Sequence, residues 1–218
     1  MATLRACLFD LDGVIVDTAK HHFVAWRRLA EELSIPFTAE DNEGLKGLSR
    51  VDSLEVILAK GNLVLDAQTK LQLMDKKNAH YLELVSSMSP DDVLPGVPAF
   101  IADAQANGVH IGLGSSSKNA PQILELIGLK PAFEAIIDGN QITLSKPDPE
   151  VFLLGAQALG LDPSECLVFE DAVAGVEAAR AGGFPVIGIG NPGVLGAADA
   201  VVPGFEGLDW QAIPGLLA

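Results

Sequence analysis

Two aspartates follow the first apolar run of the chain, and their spacing indicates either a bound cation or a reaction. Residues 5–9 form a short, largely apolar run, and Asp10-Leu-Asp12-Gly13 comes directly after it. We interpret the run as a buried strand and the next residues as a tight loop, in which Gly13 permits a sharp turn. Two carboxylates in such a place are costly unless a cation or a reaction uses them. A structural turn or a calcium loop is the alternative that this motif alone leaves open.

A second acidic pair, Glu170-Asp171, closes another apolar run at residues 166–169. An exposed acidic pair at the end of a strand is commonly only solvated surface. Two acidic strand ends in one parallel sheet can converge, however, and ligands that offer only oxygen suit Mg²⁺. The two motifs together therefore predict a magnesium site.

Hydroxyl and amide side chains follow the run at residues 110–114. Ser115, Ser117 and Asn119 lead into a helical pattern, and hydroxyls and backbone N–H groups at the start of a helix bind phosphate well. Ordinary helix capping is the alternative. Lys146, in Ser-Lys-Pro-Asp-Pro, lies on the connection after the third predicted strand, where a lone lysine is also compatible with solvated surface.

Short apolar runs and helical patterns alternate along much of the chain. The predicted strands are residues 5–9, 110–114, 135–138, 166–170, 185–189 and 200–202. The helical patterns are residues 97–107, a stretch from near Ser117, a helix with Asp148 as N-cap and Pro149 at its first position, and residues 172–181. This alternation predicts an α/β fold with a Rossmann-like parallel sheet and helices on both faces.

Residues 18–88 break the alternation, because they contain no convincing strand. Apolar residues recur there at helical spacing, and shorter helical stretches lie around residues 39–44 and 51–60. Ligand sites in open α/β sheets form at the carboxyl ends of the strands, so an insert leaving from that edge would cover the site as a lid. We expect an α/β core domain of residues 1–17 and 89–218 and a helical cap domain of residues 18–88.

The charge of the chain limits its partners. Lys and Arg number 14 against 29 Asp and Glu, which gives a formal net charge of −15. Such a surface repels nucleic acid and anionic lipid, and a site for a phosphorylated substrate must be locally basic. No apolar run is long enough to cross a bilayer, and no signal-peptide pattern is present, so we expect a cytoplasmic protein.

Two cysteines, Cys7 and Cys166, lie in apolar runs. We interpret both as small core residues. Two distant cysteines indicate neither a disulfide framework nor a zinc site.

Taken together, these motifs resemble the haloacid dehalogenase-like phosphotransferases, in the order that this superfamily shows, and the helical insert resembles its first type of cap. Longer segments resemble the β-phosphoglucomutase family over essentially the whole chain: FDLDGVIVDT from Phe9, HFVAW from His22, LKGLSR from Leu45, SSSKN from Ser115 and SKP from Ser145. The chain departs from some relatives at Val24, where they carry a polar or basic residue, and at Ala172, where they carry serine.

The resemblance implies a covalent mechanism. Asp10 would be the nucleophile that forms an aspartyl-phosphate, and Asp12 would be the general acid and base. Mg²⁺ would be held by Asp10, Asp171 and the backbone carbonyl of Asp12, with Glu170 binding it directly or through water.

The resemblance also implies a substrate site with two phosphate positions. Lys146, Ser115 and Asn119 would stabilise the transferring phosphoryl group. Arg50 would bind the remote phosphate, because its planar guanidinium suits that geometry, and Lys118 would assist. The remaining residues of the expected site, which hold the sugar or orient Asp12, are Thr18, His22, Trp26, Lys46, Gly47, Lys77 and Ser117. A place in the cap core is the alternative for Trp26, and a solvated face is the alternative for Lys77 and Lys118.

The expected reaction interconverts β-D-glucose 1-phosphate and β-D-glucose 6-phosphate through β-glucose 1,6-bisphosphate, in a monomer that binds only small sugar phosphates. A sugar-phosphate phosphatase of the same superfamily is the nearest alternative, since it differs only in what attacks the aspartyl-phosphate. A non-catalytic sugar-phosphate-binding protein is the second alternative. The intact Asp10, Asp12 and Lys146 argue against it, because binding alone needs no nucleophile.

Overall fold

Six strands, nine α-helices and four short 3₁₀ helices make up the regular structure of residues 3–217, the part of the chain that the computed structural model describes. Residues 1–2 and 218 of the expected core range lie outside it. The strands are β1 (Ala6–Phe9), β2 (His110–Gly114), β3 (Ala135–Ile137), β4 (Cys166–Glu170), β5 (Val186–Ile189) and β6 (Ala200–Val202). The helices are α1 (Ala19–Glu32), α2 (Ala39–Glu43), α3 (Arg50–Lys60), α4 (Ala67–Val85), α5 (Val97–Ala106), α6 (Ala120–Leu126), α7 (Glu150–Leu159), α8 (Val173–Ala181) and α9 (Ile213–Leu216).

The strands form one parallel sheet in the order β3-β2-β1-β4-β5-β6. The predicted α/β fold with a parallel sheet is therefore confirmed. β1 is central, and its last residue, Phe9, lies opposite Leu113 of β2 and Phe169 of β4. The residues that follow these three strands therefore meet at one edge of the sheet.

A layer of phenylalanines packs beneath that edge. The ring of Phe9 stacks on Phe169 with 5.0 Å between centroids, and Phe100, Phe133 and Phe205 pack around the pair. Phe9 and Phe169 are fully buried. Aromatic pairs of this kind stabilise a fold by more than the burial of their surface alone, so the layer gives the site a rigid base.

Helices α1 to α4 follow β1 directly, and residues 19–85 hold no strand of the sheet within the described chain. These helices have a core of their own, built from Trp26, Leu29, Leu54, Ile57 and Leu58 with their neighbours. We call residues 18–88 the helical segment; its status as a separate domain stays a prediction. In the described residues, no helix combines the length and the apolar character that crossing a membrane requires.

Three helices begin slightly later than predicted. The expectation that Asp148 is the N-cap of α7 is wrong, because the carbonyl of Pro149 accepts the N–H of Leu153 and Pro149 takes the cap position. Asp148 still satisfies one free donor of the first turn, since its Oδ1 accepts the N–H of Glu150 at 3.0 Å. The stretch from near Ser117 becomes helical only at Ala120, and α8 begins one residue after its predicted start.

We expect Phe9→Ala to lower the free energy of unfolding by about 3–5 kcal/mol, because it removes a fully buried ring and leaves a cavity. Urea denaturation measures the change. Val64→Ala is the control, since Val64 is 96% exposed and its loss should change the unfolding free energy little. A similar small loss for both variants would contradict the role of the phenylalanine layer.

Candidate active site

Three carboxylates converge at the carboxyl edge of β1 and β4. Asp10, Glu170 and Asp171 each place an oxygen within 4.8 Å of the others, because their two strands are neighbours. Asp10 and Glu170 are buried. The structure therefore brings together the two acidic motifs that the sequence separates by 160 residues.

Lys146 lies among these carboxylates. Its Nζ is 2.6 Å from Asp10 Oδ1 and 2.6 Å from Glu170 Oε1, and its side chain is fully buried above the ring of Phe152. Burial by itself lowers the pKa of Lys146, but Asp10 and Glu170 outweigh burial and raise the pKa above its ordinary value. Lys146 is thus a permanent positive charge, and the alternative of a solvated surface lysine is wrong.

One lysine does not neutralise three carboxylates. Burial, followed by repulsion from Glu170 and Asp10, raises the pKa of Asp171 well above its usual range. A cation at this point would relieve that repulsion, and a site of oxygen ligands alone suits Mg²⁺. The residues present therefore fit the expected metal.

Gly13 allows the loop after β1 to pass close to these carboxylates. Its φ is +83°, and a Cβ at this position would lie 2.1 Å from Asp171 Oδ2. The N–H of Gly13 donates to the carbonyl of Val16 at 2.7 Å and closes the turn. Only glycine meets both conditions.

The Asp12 side chain is not one of the three clustered carboxylates. It accepts a hydrogen bond from the buried Thr18 hydroxyl, and its Oδ1 is 3.8 Å from His22 Nε2. Burial and the neighbouring Asp10 raise the pKa of Asp12 to about 6. This carboxyl can therefore gain and lose a proton near neutral pH, as an acid–base group must.

Lys77 is buried in the helical segment, with 4% of its surface exposed, so the alternative of a solvated face is wrong. Its Nζ is 2.8 Å from His22 Nδ1 and lies over the rings of Trp26 and Tyr81, at 4.5 and 4.8 Å from their centroids. Burial and then Arg50 lower the pKa of Lys77 to about 7, with Asp12 opposing them. Trp26 serves the helical core and lines the cavity at once.

Arg50 reaches the sheet side through a residue that the sequence analysis missed. Asn78 Oδ1 accepts from Arg50 Nη2 at 2.8 Å and from Asn119 Nδ2 at 2.9 Å. Asn78 follows Lys77 in α4, but no motif or spacing marks it. Only its place between two distant segments makes it a candidate.

The loop after β2 is held by its own side chains. Ser115 Oγ accepts the N–H of Ser117 at 3.2 Å, and Ser117 Oγ accepts the N–H of Asn119 at 3.3 Å. Ser116, which the sequence analysis did not select, donates its hydroxyl to the carbonyl of Gly47 at 2.9 Å. This loop therefore contacts the helical segment directly.

A cavity of about 600 Å³ lies between this edge of the sheet and the helical segment. Of the residues predicted for the site, those in its wall are Asp10, Asp12, His22, Trp26, Lys46, Gly47, Arg50, Lys77, Ser115, Ser117, Lys118, Asn119 and Asp171. Thr18, Lys146 and Glu170 are fully or almost fully buried: Thr18 contacts Asp12, Lys146 contacts Asp10, and Glu170 contacts Lys146 behind the wall. Val24 is 43% exposed and is not part of the wall.

The wall carries cations among its carboxylates, because four lysine or arginine side chains line the cavity together with five aspartates. The four cations are Lys46, Arg50, Lys77 and Lys118, and Lys46 Nζ is 3.4 Å from Asp171 Oδ2. Three of these four cations belong to the helical segment. Most of the cations that could meet a phosphate therefore come from that segment.

Comparison with known proteins agrees with this geometry. The haloacid dehalogenase-like hydrolase family matches residues 4–183. This chain belongs to that family. It is an enzyme, and the resemblance on which the sequence analysis relied is confirmed.

Relatives within the family include mutases and phosphatases. A β-phosphoglucomutase of Bacillus subtilis is 42% identical over 205 residues, which cover 91% of this chain and 89% of that protein. A fructose-1-phosphate phosphatase of Escherichia coli is 31% identical, over 84% of this chain and 94% of that protein. The crystal structure of a β-phosphoglucomutase from Clostridium difficile superposes with a TM-score of 0.95 at 37% identity, and the match covers 99% of this chain and 97% of that one.

We expect Mg²⁺ to raise the melting temperature of the protein after chelation, because a ligand that binds only the folded state stabilises it by about 2.7 kcal/mol at a hundred times its Kd. Scanning fluorimetry with and without MgCl₂ measures the shift. Asp171→Asn should reduce it, whereas Asp91→Asn, a change at an exposed aspartate, should keep it. A wild-type protein that shows no shift would contradict the metal assignment.

Proposed function

We propose that this enzyme is a β-phosphoglucomutase that interconverts β-D-glucose 1-phosphate and β-D-glucose 6-phosphate through an aspartyl-phosphate and β-glucose 1,6-bisphosphate. One observation carries the proposal: a single cavity is lined by the carboxylates around Asp10 and also by two further cations, Arg50 of α3 and the exposed Lys118. Phosphoryl transfer needs the first group. A sugar bisphosphate that binds in both orientations needs the second as well.

Asp10 would attack the phosphorus of the substrate, so that a bond forms from its carboxylate oxygen and the bond from phosphorus to the sugar oxygen breaks. Asp12 would give its proton to that sugar oxygen, and would later take a proton from the hydroxyl that attacks the aspartyl-phosphate. Thr18 would orient Asp12 through the hydrogen bond described above. Lys146 would stabilise negative charge on the transferring group, since it is buried and charged beside Asp10.

Mg²⁺ would be held by Asp10, Asp171, the carbonyl of Asp12 and Glu170, and when bound it would offset the repulsion between the carboxylates and the phosphate. Ser115, Ser117 and Asn119 would bind phosphate oxygens. The sugar would lie against His22, Trp26, Lys46, Gly47 and Lys77.

The helical segment, residues 18–88, would act as a cap domain over a core of residues 1–17 and 89–218. Closing the cap would exclude water and bring Asp12 into register with the sugar hydroxyl. Exclusion of water separates a mutase from a phosphatase, because both form the same aspartyl-phosphate. The protein would act as a monomer in the cytoplasm.

A phosphatase is the second candidate, because the 31% identical relative carries that name. The two functions are separated by supplying β-glucose 1-phosphate, Mg²⁺ and a catalytic amount of β-glucose 1,6-bisphosphate. Formation of glucose 6-phosphate supports the mutase, and release of inorganic phosphate supports the phosphatase. If neither product forms, both candidate functions fail for this substrate.

We expect Asp10→Asn to abolish turnover and leave the fold intact, because an amide cannot attack phosphorus. The loss of kcat should exceed the roughly 10²–10⁴-fold that one acid–base group contributes. Circular dichroism checks the fold. Asp17→Asn, which changes an exposed aspartate a few residues along the chain, should keep the wild-type rate. Near-normal activity of a clean Asp10→Asn preparation would end the covalent hypothesis.

We expect Arg50→Ala to damage the mutase reaction far more than the hydrolysis of acetyl phosphate, which has no second phosphate. Losing one charge-assisted hydrogen bond costs about 1.5–3 kcal/mol, or roughly 10- to 150-fold in kcat/KM. The control is Arg27→Ala, in an exposed arginine of α1 that pairs with Glu31. An equal drop for the two substrates would mean that Arg50 supports the core site or the fold instead.

A further inference from the structure

A hydrogen bond joins the first turn of α3 to the residue just before Lys146. The hydroxyl of Ser145 donates to Asp52 Oδ2, across 93 positions of sequence. Lys146, the next residue, is the buried cation that contacts Asp10. The helical segment is therefore bonded one residue away from a buried charge of the site.

Hydrogen bonds within the first turn of α3 fix the position of the Asp52 carboxylate. Ser49 is the N-cap, and its Oγ accepts the N–H of Asp52 at 3.1 Å and donates to Asp52 Oδ2 at 2.6 Å. A carboxylate in the first turn is also favoured by the partial positive charge at the start of a helix. One carboxylate oxygen thus accepts two hydroxyls, one from its own helix and one from Ser145. Hydrogen bonds to an ionised acceptor are stronger than neutral ones.

The loop that carries Ser145 is anchored separately from the sheet side. Glu150 Oε2 accepts the N–H groups of Thr143 and Leu144 at 2.8 and 2.6 Å, and the carbonyl of Ser145 accepts the N–H of Asp148 at 3.0 Å. These bonds fix the backbone of the loop and leave the Ser145 hydroxyl to Asp52. The hydroxyl is the part of the loop that responds to the position of α3.

Apolar residues of the helical segment, among them Tyr81 and Val85, also pack in the main core, and Ser116 donates to the carbonyl of Gly47. The other polar side-chain contacts with the sheet side involve groups already proposed for the substrate or the cation. Lys46 meets Asp171, and Asn78 bridges Arg50 and Asn119. A bound sugar phosphate or metal would compete for these groups. Asp52 and Ser145 also line the cavity, but they are paired with each other and hold neither substrate nor cation in the proposed function, so their bond can persist while the substrate is in place.

We propose that Asp52 is a positioning residue, and that its bond to Ser145 is a latch contact that holds the helical segment against the sheet in a closed arrangement. This inference rests on the proposed function, because the latch contact acts on the same phosphoryl transfer. The latch contact acts only when the enzyme is closed. Losing it should therefore slow transfer to a sugar hydroxyl, which requires the exclusion of water, and should change the hydrolysis of a small phosphate donor little.

The experiment compares Ser145→Ala, Asp52→Ala, the double variant and Asp52→Asn. We expect each alanine variant to lower the kcat for glucose 6-phosphate formation about tenfold and to raise the ratio of phosphate released to glucose 6-phosphate formed by a similar factor. The double variant should be no worse than either single one, because both remove the same bond. Asp52→Asn retains an acceptor oxygen and should restore part of the rate. Hydrolysis of acetyl phosphate should stay within about twofold in all four.

The control is Asp66→Ala. The carboxylate of Asp66 accepts the N–H of Thr69 in the first turn of α4, much as Asp52 pairs with Ser49 in the first turn of α3. This variant therefore measures the effect of weakening a helix start in the same segment, and it should keep the wild-type product ratio. Additive losses in the double variant, or an equal loss with acetyl phosphate, would overturn the latch contact.

A measurement without substrate separates this inference from the proposed function. Small-angle X-ray scattering of the ligand-free protein should give a larger radius of gyration for Ser145→Ala and Asp52→Ala than for wild type and Asp66→Ala. Identical curves for all four would overturn the latch contact whatever the reaction is. If the scattering differs as expected but wild type forms no glucose 6-phosphate, the proposed function fails and the latch contact stands.

Discussion

The buried contact of Lys146 with Asp10 and Glu170 is the interaction on which the rest of the site depends. Two carboxylates inside a sheet edge repel each other and lose their hydration, and neither is stable there as an anion without a nearby cation. Lys146 supplies that charge from a loop far from both in sequence. Asp171 adds a third carboxylate within 4.8 Å of these two, and a site of this kind suits a divalent metal.

Parallel pairing explains why these groups meet. β1 lies between β2 and β4, so the residues after three strands emerge side by side. The phenylalanine layer under Phe9 makes that edge rigid, and Gly13 lets the loop above it approach Asp171 without a steric clash. A sheet of this kind can hold reactive carboxylates close together because its backbone cannot relax away from their repulsion.

The helical segment contributes most of the cations that line the cavity. A protein with a net charge of −15 repels phosphorylated molecules, yet its cavity is lined by lysines and an arginine. The segment supplies three of these cations together with Asp52 and Asp75, and the sheet side supplies Asp10, Asp12 and Asp171. The cations of the segment therefore face the reactive carboxylates only where the two surfaces meet. The contacts through Asn78, Ser116 and Asp52 therefore influence both the shape and the charge of the site.

Much of the fold could be predicted from the sequence because the strands are buried on both faces. Such strands appear as short continuous apolar runs, and each predicted run overlaps an observed strand within two residues at its ends. The acidic and hydroxyl residues that follow those runs were readable for the same reason, since strand order along the chain already places them at carboxyl ends. Helix starts were less certain, as the cap at Pro149 shows, because neighbouring residues compete for one cap position.

The sequence by itself determined the sheet, the helical segment and the groups that carry the chemistry. Only the tertiary structure decided how those groups are charged and held. Lys77 is buried against His22 and Trp26 rather than solvated, Asn78 joins Arg50 to Asn119, and Asp52 reaches Ser145. None of these contacts has a local signature, because burial and hydrogen-bond partners are set by residues that are distant in the chain and become neighbours only when the helical segment packs against the sheet.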